Sequence, residues 1–404
     1  MIKTGIDVVE ISRFENMKNP DDFFARVFTA AEVEYFSKKK NKWESVAGFY
    51  AAKEAFSKYL GSGIRGFSFK DIEVCHNDMG KPYIRFKGEK IDADVSISHS
   101  DTVATAIVCG EDAVPYPEID NIEFYRGLLP KRFPDMNKGD CGRVFILAGS
   151  LGMTGAAELC AMGALRSGSG LVTVGTAKSQ RHILATKLTE AMTVAFEEQS
   201  GIVSVGACKQ IMDRVNRADV SVIGPGLGNG SELWQIIDSV IKAKKTLVID
   251  ADGLNAISLH IDIFDGEKGD VVITPHPGEM SRLCGLTIEE IQENRIEIAK
   301  KYAKLWGVTL LLKGNGTVIA SPDGRVHINP TGNSGMATGG MGDVLAGMIG
   351  SFMGQGLDGY NAAVLAAFLH GYAGDIAKRE IGEFGMLAGD VVKLIPKAIS
   401  ITEG

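Results

Sequence analysis

The chain has 404 residues, 45% of them apolar and 23% charged, with a net charge of −7 at neutral pH. That length exceeds what one hydrophobic core usually serves, so two domains are expected. The acidic balance supplies no basic field, which argues against nucleic acid or an anionic membrane as partner.

The N-terminal run MIKTGIDVVEISRF places Asp7 and Glu10 where a secretory signal needs unbroken apolar residues. The longest apolar stretch, AAVLAAFLHGYA, is too short to span a bilayer. Six cysteines at 75, 109, 141, 160, 208 and 284 form no CxxC pair, which fits reduced thiols in a cytoplasm.

IKTGIDVVEI reads as a strand. ESVAGFYAAKEAFSKYL reads as a helix with Phe49, Ala52, Phe56 and Tyr59 on one face and Lys53, Glu54 and Lys58 on the other. HNDMGKPYIRF and DADVSISHSDTVATAIVC follow as strands joined by tight turns, which completes a small α+β domain over 1–114. Pro115, Pro117, Pro130 and Pro134 then mark 115–137 as an extended connector. Only eight of the 49 glycines precede residue 115, so tight turns and close backbone approaches concentrate in 138–404. There RVFILAGS, LVTVGT, VSVIGPGLG, TLVIDADGL, DVVITPHPGE and TLLLKGNGTVIA are short strands, with helical patterns between several of them. This alternation predicts an α/β domain with a mostly parallel sheet covered by helices, and ligands at the C-terminal strand ends.

Taken singly, Glu54 and Lys58 have the i, i+4 spacing of an ordinary surface ion pair. The signal lies in the order of three segments: GIDVVEI with Asp7, AAKEAFSK with Lys53, Glu54 and Lys58, and SISHS with His99. Together these resemble the holo-[acyl-carrier-protein] synthase family over about 110 residues. The resemblance implies a 4'-phosphopantetheinyl transferase fold in which Asp7 and Glu54 hold magnesium on the pyrophosphate of coenzyme A. By the same resemblance, Lys53, Lys58, His99, Gly80, Lys81 and Pro82 contact the coenzyme or shape its pocket. A serine of apo-acyl-carrier-protein then attacks the β-phosphate and 3',5'-ADP leaves, a step that serves fatty acid biosynthesis, with Glu54 or a water on the metal taking the serine proton. The family's trimers, with sites at subunit interfaces, imply a homo-oligomer. One position departs from the pattern: the family has an arginine ahead of AAKEA, where this chain has Phe49 and Tyr50, so one phosphate contact has no counterpart there.

In NPTGNSGMATGGMGDVLAGMIGSFM a glycine-rich loop runs directly into an apolar helix. Unpaired N–H groups at such a helix start favour an anion, and glycines allow close approach to phosphate oxygens. Asp343 is unsuited to a phosphate contact and suited to taking a proton from an attacking hydroxyl. His276 and Glu279 in TPHPGEM have no third partner nearby that would make a zinc site. Asp250 and Asp252, on alternate residues of a strand end, are expected to face one way, toward a nucleotide or metal, or to cap the next helix.

With KGDCGRVFILAGS, GMTGAAELCAMGALRSGSGLVTVGT, GPGLG, VIDADGLN, TPHPGEM and LLKGNGTVI, residues 120–404 resemble the ADP- or ATP-dependent NAD(P)H-hydrate dehydratase family, which has a ribokinase-like fold. The resemblance implies that Lys313, Gly314, Asn315, Gly316, Thr317 and Gly342 hold ADP or ATP, with magnesium on its phosphates. It implies that Gly155, Ala156, Gly226, Gly228, His276 and Asp343 surround NADHX or NADPHX. Phosphorylating the ring hydroxyl makes it a leaving group, so reduced NAD(P) reforms. No epimerase domain accompanies these motifs, so one epimer, S, is the expected substrate. The alternative is a ribokinase-like small-molecule kinase with a non-catalytic N-terminal oligomerisation domain. TPHPGEM and LLKGNGTVI favour the dehydratase.

Overall fold

The computed structural model describes residues 2–61, 67–77, 79–111 and 121–404. The chain divides into two compact units, Met1–Glu118 and Ile119–Gly404. The boundary expected near residue 115, with Pro115 and Pro117, falls outside the described residues.

In the first unit, strand Val103–Glu111 lies between Ile2–Glu10 and Asp94–His99 and runs antiparallel to both. A second sheet holds Ile72–His76, Pro82–Phe86 and Glu89–Lys90. Helix Lys42–Tyr59 lies directly on strand Ile2–Glu10, because Gly5 has no side chain: a Cβ there would fall 1.9 Å from the Ala55 carbonyl oxygen. The helix buries Phe49, Ala52, Phe56 and Tyr59 as its periodicity predicts. It also buries Lys53 completely, so the expected polar face reduces to Glu54 and Lys58. On the outer sheet face Ile6, Val8 and Ile107 remain exposed at 57%, 61% and 38%.

The second unit is built on a nine-stranded sheet. Seven strands are parallel: Thr309–Leu312, Val271–Ile273, Leu247–Ile249, Val220–Ile223, Arg143–Leu147, Leu171–Ala177 and Met192–Phe196, in spatial order. Val318–Ala320 and Val326–Ile328 extend one edge antiparallel. The chain leaves Arg143–Leu147 toward one edge and returns beside it at Val220–Ile223 to build the other half. Such a reversal opens a crevice at the C-terminal strand ends, where ligands of open α/β sheets bind. Helices Thr154–Arg166 and Met341–Gly354 approach closely beside it. A Cβ on Gly347 would fall 1.9 Å from the Cys160 oxygen, and one on Gly163 2.4 Å from that of Val344.

The described part of the expected connector belongs to this unit. Ile122–Leu128 is a helix, with Tyr125 stacked on Phe368 at 3.6 Å between ring centroids and Arg126 Nε donating to the Thr402 carbonyl at 2.9 Å. Burial of one aromatic ring overrides the extended tendency read from the neighbouring prolines. The stretch AAVLAAFLHGYA lies inside the buried helix Gly359–Ile381, and among the described residues no helix is long and apolar enough to cross a membrane.

Candidate functional site

In the first unit, Tyr50, Glu54 and Lys58 stand four residues apart along one face of helix Lys42–Tyr59. The Tyr50 hydroxyl donates to Glu54 Oε1 at 3.1 Å, and Lys58 Nζ donates to Asp7 Oδ1 at 2.8 Å and to the Ile6 carbonyl at 3.0 Å. The contact of strand and helix through Gly5 thus brings Asp7, Lys58 and Glu54 onto one surface. His99 lies elsewhere, with Nδ1 3.7 Å from Glu44 in the first turn of the helix. Gly80 has the positive φ of a tight turn (+79°), Pro82 opens the next strand, and Lys81 pairs with Asp94 at 2.6 Å.

Lys53 is a correction. Its ammonium donates to the carbonyls of Val27, Phe69 and Ile72 and pairs with Glu32 at 2.7 Å. Burial raises the Glu32 carboxyl and lowers the Lys53 ammonium, and the contact between the two opposes both shifts. Every N–H of Lys53 is engaged inside the core, so the side chain is closed to coenzyme A. Phe49 also faces inward, 4% exposed, stacked on Tyr35 and edge-on to Phe36.

In the second unit a cavity of about 610 Å³ is lined by Lys313, Gly314, Asn315, Gly316, Thr317 and Gly342, together with Asn329, Thr331 and His370. All six residues expected to hold the nucleotide therefore line the same cavity. Lys313 Nζ lies 2.7 Å from Asp250 Oδ1 and 3.7 Å from Glu279 Oε2. Burial, the largest influence, pulls its ammonium down, but Asp250, Glu279 and Asp343 outweigh burial and hold it above the usual lysine value.

Asp343 sits in the first turn of helix Met341–Gly354, whose cap Gly340 has φ +92°. Its carboxyl is pushed up to about 7 by burial, then by Asp250, with Asp252 and Glu279 adding and Lys313 opposing. Of the expected substrate residues, Gly155, Ala156 and Gly226 lie together and Gly228 bonds to Asp252. Gly155 and Ala156 open helix Thr154–Arg166, and a Cβ on Gly226 would fall 2.9 Å from that of Ala156. The Gly228 N–H donates to Asp252 Oδ2 at 2.8 Å.

Asp250 and Asp252 do not face one way. Ala251 takes φ +49°, ψ −118°, a strained backbone for a non-glycine residue that reverses the chain between them. Asp250 turns inward to Thr274 and Lys313, and Asp252 outward to Gly228. His276 caps helix Pro277–Cys284: its Nδ1 accepts from the Gly278 and Glu279 amides at 3.0 and 3.3 Å, while Glu279 accepts from the His276 amide. An accepting Nδ1 leaves the imidazole proton on Nε2, which lies 3.5 Å from Glu279 Oε1 on a half-exposed ring.

The sequence model of the family described as NAD(P)H-hydrate dehydratase matches residues 144–397. An ADP-dependent (S)-NAD(P)H-hydrate dehydratase of Bacillus subtilis is 34% identical over 275 residues, which cover 68% of this chain and 95% of that protein. The chain belongs to the NAD(P)H-hydrate dehydratase family. A bifunctional NAD(P)H-hydrate repair enzyme Nnr of Moorella thermoacetica is 47% identical over 273 residues, 67% of this chain and 52% of that one, so the chain spans about half the length of the bifunctional relatives it matches. The crystal structure of the Bacillus subtilis ADP/ATP-dependent NAD(P)H-hydrate dehydratase, co-crystallised with ATP and Mg2+, superposes with a TM-score of 0.63 at 34% identity, covering 72% of this chain and 99% of that one. The model of the 4'-phosphopantetheinyl transferase superfamily matches residues 3–110. The chain thus joins regions of two enzyme families.

Three residues of the cavity lie inside stretches whose pattern points elsewhere: Asn329 and Thr331 open NPTGNSGMATGGMGD, and His370 lies in the apolar run AAVLAAFLHGYA. Asn329 and Thr331 are tied to helix Gly359–Ile381 through the Ala367 and Phe368 carbonyls. His370 is pushed down to about 4 by burial, and less so by Lys313, so it stands neutral on the cavity wall. Each is a polar residue whose local pattern marks only a loop or an apolar helix, and the fold brings it to the cavity.

Proposed function

We propose that the second unit dehydrates the S epimer of NADHX and NADPHX at the expense of ADP, giving NADH or NADPH, AMP and phosphate. ADP as donor is supported by the name of the Bacillus subtilis relative, and ATP would give ADP in the same way. The reading is carried by Asp343, a carboxyl raised by burial to about 7 and placed next in the chain to Gly342 on the cavity wall. A base with that pKa accepts protons near neutral pH.

Asp343 takes the proton of the ring hydroxyl as its oxygen attacks the terminal phosphorus, and the bond to AMP breaks. Phosphate then leaves with the C–O electrons, and loss of the neighbouring C–H proton restores the ring double bond. The amides around Gly340 and Gly342 face the charge that develops on the phosphoryl group. His276 offers Nε2–H to the substrate, and loop 313–317 with Gly342 holds the nucleotide. Magnesium would neutralise the nucleotide phosphates, and Asp252, the outward-turned carboxylate, is a hard oxygen donor of the kind it takes.

The first unit, on this reading, transfers 4'-phosphopantetheine from coenzyme A to a serine of apo-acyl-carrier-protein. Asp7 and Glu54, two carboxylates from separate elements, fit a magnesium ion that would neutralise the coenzyme pyrophosphate. Lys58 meets a phosphate oxygen, and Glu54 accepts the serine proton while the bond to 3',5'-ADP breaks. His99 and the Gly80, Lys81, Pro82 turn complete the site from a second copy of the chain, a reading supported by the exposed apolar face of Ile6, Val8 and Ile107. Both substrates belong to the cytoplasm.

The test is the absorbance of hydrated NADH incubated with the protein, magnesium and either ADP or ATP. Recovery with phosphate release supports the dehydratase, and a stable phosphorylated product moves the unit to the kinases. For the first unit, apo-acyl-carrier-protein must gain the mass of phosphopantetheine, and Asp7→Ala or Glu54→Ala must abolish that gain while sparing repair.

A further inference from the structure

Arg295 begins helix Arg295–Trp306 and reaches across to the loop that lines the cavity. Its Nη2 donates to the Leu312 carbonyl at 3.0 Å and to that of Gly316 at 3.5 Å, and Nη1 donates to the Lys313 carbonyl at 3.4 Å. Gln292 Oε1 accepts from the same Nη1 at 3.0 Å and steadies the fork. The loop lies against the guanidinium because residue 314 is glycine: with φ +149°, a Cβ there would fall 2.5 Å from Nη1. One planar cation thus gathers three carbonyls of a five-residue segment, which a single-point ammonium cannot do.

The consequence follows from the peptide unit. In a trans peptide the C=O and the following N–H point in opposite directions. Turning the Lys313 and Gly316 carbonyls onto Arg295 therefore turns the N–H groups of Gly314 and Thr317 away from it, in a loop whose residues line the cavity. Amides fixed to one side of a tight loop form an anion-binding concavity.

We propose that Arg295 is a positioning residue that presets loop 313–317 to receive a nucleoside diphosphate, an inference that rests on the nucleotide reading of the cavity. It touches neither nucleotide nor hydrate and acts through the backbone it holds. The expected signature is a selective effect on the nucleotide.

The experiment uses the full chain as wild type, Arg295→Met and Arg295→Lys, with ADP binding measured by calorimetry and repair kinetics measured against both substrates. Arg295→Met should weaken ADP binding and raise its KM tenfold or more, while kcat and the KM for hydrated NADH stay within about threefold. Arg295→Lys, able to reach one carbonyl, should recover part of the loss and keeps the test open if the methionine variant fails to fold. Variants that melt like wild type and bind ADP within twofold of it overturn the proposal. So does a uniform loss in kcat and both KM values, which marks a merely structural role. Wild-type protein that binds neither ADP nor ATP removes the nucleotide reading itself, and the proposal with it.

Discussion

The two candidate sites draw on the same residue types but balance their charges differently. In the first unit each group has its own neighbour: Asp7 has Lys58, Glu54 has the Tyr50 hydroxyl, and His99 has Glu44. In the second, Asp250, Glu279 and Asp343 crowd around one lysine, and Asp252 adds to the field on Asp343. Burial first, and then the neighbouring Asp250, disfavours the charged form of Asp343 there. The comparison separates a surface that awaits its partners from a site whose reactivity is stored within a single chain.

The largest test of that contrast is Asp343→Asn. Dehydration should fall by roughly 10²- to 10⁴-fold, and phosphopantetheine transfer should be unchanged. The same variant reports on stored reactivity through stability. The folded carboxyl titrates near 7 against an ordinary value of 3.8, so its stability contribution is complete below about pH 4 and is lost as pH rises through 7. An amide at this position does not titrate and removes that loss, so the variant should melt above wild type at pH 8 and level with it near pH 4. A variant that is less stable at pH 8 would show that the desolvated charge of Asp343 does not strain the fold.

Next in size is Lys53→Ala, which leaves Glu32 buried without its cation. Breaking such a pair costs roughly 3–5 kcal/mol, to be read from denaturant unfolding of the first unit's transition. Lys58→Ala removes an exposed partner of Asp7 and should instead raise the KM for coenzyme A with little change in unfolding. If the two lysines behave alike, the distinction between core and site in this helix is wrong.

Those two lysines also mark how far the sequence could be read. The alternation of strands and helices and the glycine-rich loop ahead of Asp343 are local patterns, and the structure shows the mostly parallel sheet and the helix start at Met341 that they predict. Lys53 defeated the reading because its acceptors come from Val27, Phe69 and Ile72, in segments with no marked pattern, and helical periodicity alone assigns it to the solvent side. The helix Ile122–Leu128 was hidden for a similar reason: it is fixed by Tyr125 against Phe368, a contact across more than two hundred residues. Arg295 likewise looks like any first-turn arginine until the loop folds onto it. Local chemistry was legible, and the long-range partners that retune it were not.

A smaller effect follows from pH. With Asp343 acting as base, kcat/KM for dehydration should fall about tenfold per unit below pH 7, because only the ionised carboxylate accepts the hydroxyl proton. Transfer by the first unit should not share that limb. A profile flat down to pH 5.5 would remove Asp343 from the proton transfer.

The smallest effect separates two duties of one residue. His276 Nδ1 caps the helix at 277, and Nε2, on the half-exposed side of the ring and 3.5 Å from Glu279 Oε1, is the proposed donor to the hydrate. His276→Ala loses both and should cost about 1 kcal/mol in stability, the usual value of a helix cap, together with a several-fold rise in KM for the hydrate, the scale of one net hydrogen bond. His276→Asn keeps an oxygen for the Gly278 and Glu279 amides and gives up the distant donor, so stability should return while KM stays high. Recovery of both would make His276 a cap alone, and recovery of neither would mean that the imidazole ring, rather than its two nitrogens, shapes the turn.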